Sequence, residues 1–120
     1  MPEISQGTTF FLPGRKQHLA FVLNKPEDHA GTALVVNVTT QYTMSDTSCR
    51  VFRGEHSFIE HASVIYYAGA QAKHIEDIAR LINEQIWLPC HERVPQTLID
   101  RALAGARVSP DFLQTLLPLL

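Results

Sequence analysis

The first part of the chain alternates short apolar runs with turn residues. Thr8-Thr9-Phe10-Phe11-Leu12 is β-branched and aromatic, and it stops at the turn dipeptide Pro13-Gly14. His18 to Leu23 is a second apolar run, closed by Asn24-Lys25-Pro26, where the proline restricts Lys25 to extended backbone. Thr32 to Thr40, TALVVNVTT, is the strongest strand signal. Its alternation sets Leu34, Val36 and Val38 on one face against Val35, Asn37 and Thr39 on the other. Cys49 to Phe52 and Ser63 to Ala68 read as two further strands, with Arg53-Gly54-Glu55 a turn between them. Short strands at this density suit a small, highly curved barrel or sandwich rather than a doubly wound parallel sheet.

The period then changes. Ile75, Ile78, Ala79 and Ile82 recur at helical spacing, with Glu76, Asp77 and Arg80 on the opposite face. Ile86-Trp87-Leu88 reads as a last short strand before Pro89. A helix opens at Val94-Pro95 and runs to about Ala106, with Leu98, Ala102 and Leu103 inward. Ser109-Pro110-Asp111 opens a short helix near 110–117 that Pro118 ends. The expected architecture is a single β-rich α+β domain over residues 1–120. Its β-barrel covers about 7–70 and its helices about 74–117.

Composition narrows the function. A chain of 120 residues buries one core without staples. A net charge of −2 argues against nucleic-acid binding by bulk charge but leaves room for a local basic patch. Cys49 and Cys90 lie far apart and form no CxxC pattern, so two free thiols are expected ahead of a disulfide. The N-terminus has no basic and apolar leader, and no run approaches the ~20 apolar residues of a spanning helix. A soluble cytoplasmic protein with no membrane partner is expected.

The densest chemistry lies in residues 47–68, TSCRVFRGEHSFIEHASVIYYA. Histidine titrates near neutrality, so His56 and His61 are candidates for an acid–base pair acting on a phosphodiester. Arg50 and Arg53 are candidates to bind its phosphate through paired guanidinium donors. Phe58-Ile59 is expected to insert into the core and fix the loop, in which case the two histidines are ordinary hydrogen-bonded residues. Tyr66 and Tyr67 alternate, one inward and one outward; Tyr67 is assigned the substrate contact, as a base-stacking ring. Asp46 is expected to cap the turn before Cys49. Cys49, His56, His61, Cys90 and His91 are a conceivable zinc set, but gaps of seven and five residues among the first three are not close ligand pairs.

The run Gly7 to Leu12, the strand from His18, ALVVNVTT and ASVIYYAGAQAKHIEDI together resemble the PemK/MazF-like toxin superfamily. Those proteins open with a glycine-led strand, carry basic residues just before the second strand, and end the third in Thr or Ser. The resemblance covers roughly residues 7–80 and implies a small SH3-like barrel with C-terminal helices. It also implies metal-independent cleavage of single-stranded RNA, no cofactor, and an antitoxin protein as partner. It places the basic position on Arg15, Lys16 or His18 and the hydroxyl on Thr39 or Thr40. With the candidates from residues 47–68 added, the expected catalytic set is His18, Thr39, His56 and Arg53, with Arg15, Lys16, Arg50, His61 and Tyr67 contacting substrate and no metal. The chain departs from the pattern at Thr8, where the family carries an acid, and in lacking Arg-Pro before the second strand. Those departures favour the alternative, a non-catalytic module holding protein or nucleic acid on the same barrel; a structural zinc protein ranks third. The apolar end Phe112 to Leu120 is expected to pack on the barrel or on a second subunit of a homodimer.

Overall fold

The computed structural model describes residues 3–120. Seven strands form one sheet: β1 (Thr9–Leu12), β2 (His18–Val22), β3 (Thr32–Thr40), β4 (Arg50–Val51), β5 (Ser63–Ile65), β6 (Gln71–His74) and β7 (Leu88–Cys90). Their order is β4-β5-β3-β2-β1-β7, with β6 paired to β3 beside β5, and every pairing is antiparallel. Helices α1 (Ile75–Asn83) and α2 (Gln96–Val108) complete a small α+β protein. Among the described residues no pairing joins β4 to β7, so backbone hydrogen bonds do not close the sheet into a barrel.

The sheet is buried on both faces, which is why β2 and β3 read as unbroken apolar runs. On one face Leu19, Phe21, Leu34, Val36 and Val38 pack against Leu98, Ile99, Ala102 and Ala106 of α2 and against Phe112. On the other, Phe10, Ala20, Val22, Ala33 and Val35 pack against Ile78 of α1 and Trp87. The alternation read from TALVVNVTT is the one observed. Leu116, Leu119 and Leu120 lean on the α2 side of this core, so the apolar end packs on its own chain.

Several expected boundaries move. The run from Ser63 ends as a strand at Ile65, because Tyr67–Gly69 turns into a 3-10 helix with the Gly69 N–H on the Tyr66 carbonyl. Strand β6 has no counterpart in the sequence reading: Gln71-Ala72-Lys73-His74 shows no apolar alternation, and the long β3 recruits it by backbone pairing, Val35↔Gln71 to Thr32↔His74. The last element is a 3-10 helix over Gln114–Leu119 that contains Pro118 rather than ending at it. Among the described residues no helix is long and apolar enough to cross a membrane.

Candidate functional site

The dense segment 47–68 is mostly structural. Its loop hangs on His56, which is 2% exposed. The Phe58 N–H donates to Nδ1 at 3.0 Å, so the proton sits on Nε2, which donates to the Glu92 carbonyl at 2.8 Å. Both ring nitrogens are therefore used inside the fold, and His56 has no free nitrogen for a substrate proton. Glu92 returns the tie by accepting the Ser57 N–H at 2.9 Å, and the Ser57 side chain together with this N–H holds its carboxyl below the usual range. Ile59 is buried, while Phe58 is 40% exposed and packs edge-on against Phe11, so only half of the expected pair enters the core.

The same loop is bolted to α2. Arg101 donates to both carboxylate oxygens of Glu55, at 2.8 and 2.7 Å, and to the Arg50 carbonyl at 3.0 Å. Partial burial pushes the Glu55 carboxyl up, and the bonds from Arg101 and the Phe52 N–H outweigh it, leaving the pKa lowered. The Arg50 and Arg53 side chains are exposed, Arg50 beside the groove next to α2 and Arg53 on the turn. Tyr67 is corrected outright as a base-stacking residue. It is 1% exposed, its hydroxyl donates to the Ala102 carbonyl at 2.7 Å, and burial pushes its pKa far up. The outward ring is Tyr66, 49% exposed.

The open chemistry lies at the other end of β2 and β3. Their ladder runs from Val22↔Val35 to Ala20↔Asn37 and stops there. Continued, it would set His18 opposite Thr39. Instead β3 goes on with β5 on its far edge, Val38↔Ile65 to Thr40↔Ser63, and the β2 side splays. The His18 ring stands in the gap, its Nδ1 3.4 Å from the Val38 carbonyl, a long bond. A carbonyl only accepts, so Nδ1 carries the hydrogen and the neutral ring keeps its lone pair on Nε2.

A cleft of about 530 Å³ opens here, walled by Lys16, His18, Thr39, Thr40, His61 and Ser63, with Glu60 also on its lining. The Thr40 hydroxyl and the His61 Nε2 lie 2.9 Å apart, and the Ser63 hydroxyl donates to the His61 carbonyl at 3.0 Å. Of the expected residues, Lys16, His18, Thr39 and His61 thus share one cleft. Arg15 is exposed on the turn before it, and Arg50, Arg53, His56 and Tyr67 do not line it.

A second groove of about 500 Å³ shares His18, Thr39 and Thr40 with the first and continues past Asn37 and Tyr66 to the segment Tyr42 to Asp46. Asp46 anchors that segment: it accepts the Ser48 N–H at 2.9 Å and the Ser109 hydroxyl at 2.6 Å. Burial works to raise the Asp46 pKa, and these bonds bring it below the usual range. The expected turn cap at Asp46 is present. Asn37 and Tyr66 were missed as site residues, although one carboxamide inside the apolar run VVNV was a visible signal.

The five residues weighed for zinc do not gather. His61 sits at Thr40, Cys49 is buried under α2, and only Cys90 approaches His56, with Sγ 3.7 Å from Nε2. Among the described residues no three His, Cys, Asp or Glu side chains are grouped to hold a metal ion. Both cysteines are free thiols. Comparison with known proteins returns no matching family model, no matching curated protein and no matching solved structure.

Proposed function

We propose that the chain is a PemK/MazF-like endoribonuclease on an SH3-like barrel, cutting single-stranded RNA in the cleft between the splayed ends of β2 and β3. The observation that carries this reading is the gathering of Lys16, His18, Thr39, Thr40 and His61 around one opening. A base, an acid and donors for developing negative charge are the parts a phosphodiester transesterification needs. His18 Nε2 takes the proton of the ribose 2′-hydroxyl as its oxygen bonds to phosphorus. Protonated His61, held by Thr40, gives its proton to the departing 5′-oxygen as the P–O5′ bond breaks. The products are a 2′,3′-cyclic phosphate and a 5′-hydroxyl. The Lys16 ammonium and the Thr39 hydroxyl offset the charge on the equatorial oxygens. An antitoxin protein would act by covering this cleft.

The test is incubation of the purified chain with a defined single-stranded RNA, followed by analysis of the new termini. Cyclic-phosphate ends that disappear with His18→Ala support the reading. A wild-type chain that binds the RNA and leaves it intact would move the protein to the alternative, a non-catalytic binding module.

A further inference from the structure

Asn37 is 9% exposed, and its carboxamide makes no hydrogen bond to another described residue. A buried amide in that condition calls for an explanation, since two N–H donors and a carbonyl acceptor are left unpaired. Yet among the described residues no fully enclosed side-chain nitrogen or oxygen lacks a partner. The Asn37 amide therefore meets the surface, and the surface it meets is the second groove. Beside it the Tyr66 ring lies against Gly69. A Cβ on Gly69 would stand 2.7 Å from Tyr66 Cδ2 and 3.2 Å from Asn37 Oδ1, so only glycine lets the ring and the amide share this place. The backbone holds the pair together as well, the Tyr66 N–H donating to the Asn37 carbonyl at 2.8 Å.

We propose that this groove is a nucleobase subsite, in which Asn37 pairs with the base edge and Tyr66 stacks on its face. The inference rests on the RNA reading of the adjoining cleft, with which the groove shares His18, Thr39 and Thr40. An amide presenting a donor next to an acceptor matches the edge of a base, and an exposed aromatic ring offers the stacking plane that single-stranded recognition uses. The acids lining this groove, Asp46 and Asp111, disfavour a phosphate there. The backbone accordingly stays at Lys16 while the base turns inward. The amide alone does not choose a base, because a flip exchanges its donor and acceptor.

The experiment is a titration of the isotope-labelled full chain with uncleavable 2′-O-methyl hexanucleotides of A, C, G and U. The side-chain NH2 signal of Asn37 is followed by NMR. The expected result is a saturable shift of that signal with at least one hexamer and none with inorganic phosphate. Tyr66→Ala should weaken binding about tenfold, while Tyr66→Phe keeps it. Asn37→Ala should weaken it to a similar degree in a folded chain, because its side chain holds nothing else in place. Hexamer binding that moves the Lys16 and His18 signals and leaves Asn37 still would overturn the subsite and spare the RNA reading. No binding by any hexamer would overturn both. An equal Asn37 shift with a capped Gly-Ser hexapeptide would assign the groove to peptide backbone and also overturn the proposal.

Discussion

Residues 52–58 of the loop between β4 and β5, and the splayed end of β2 and β3, both carry histidine and basic residues, and they use them in opposite ways. In the loop, His56 and Glu55 spend their polar atoms on the backbone and on Arg101 of α2, and Glu92, between β7 and α2, accepts from the loop's Ser57 N–H. At the splayed end, His18 keeps Nε2 for other use and the Asn37 amide faces a groove without a partner. Density of chemical groups marked the first region, and unspent hydrogen-bonding capacity marks the second. Satisfied hydrogen bonding, not composition, separates the scaffold from the candidate site.

The largest expected effect sharpens the scaffold side. Gly105 of α2 lies under Tyr67, and a Cβ there would run into the Tyr67 hydroxyl and stand 2.8 Å from the Ser48 carbonyl. Gly105→Ala is expected to cost about 3 kcal/mol or more by overpacking, read by denaturant unfolding. His56→Ala comes next. It strands the Phe58 N–H, while the Glu92 carbonyl keeps the Thr9 hydroxyl at 2.6 Å, and a loss of about 2 kcal/mol is expected in thermal or urea unfolding.

Arg101→Ala is expected to cost about 1–2 kcal/mol, because the 38% exposure of its side chain screens the pair with Glu55. This effect depends on pH. The Glu55 carboxyl is lowered in the folded chain, so its contribution is complete above the ordinary glutamate range and is lost as pH falls through the folded value. Wild type should therefore lose stability faster than Arg101→Ala across that acidic interval, in unfolding curves at stepped pH. The smallest effects belong to the splayed end. His18→Ala and His61→Ala are expected to change stability by no more than about 0.5 kcal/mol, since neither leaves a fully buried group unpaired.

Where apolar periodicity set the structure, the sequence was readable. β1, β2, β3, α1 and α2 all fall where Phe10, Leu19, Val36, Ile78 and Leu98 placed them. β6 was not readable, because Gln71 to His74 enters the sheet through backbone bonds that no side-chain pattern records. The early end of the strand from Ser63 follows from Tyr66 and Tyr67 turning through Gly69, a tertiary fit under α2 and over Asn37. The cleft was half legible. Lys16, His18 and Thr39 came from the resemblance to a toxin superfamily, but the tying of His56 to Glu92 spans 36 positions and leaves no local trace. Tyr67 was chosen over Tyr66 because alternation tells that two neighbours face opposite ways and not which of them faces in.

The most direct measurement is the rate of single-stranded RNA cleavage by wild type, His18→Ala and His61→Ala, each first shown to unfold at the wild-type midpoint. A functional site at the splayed end predicts that each substitution lowers the rate about 100-fold or more while the fold is unchanged. Full cleavage by both variants would contradict it.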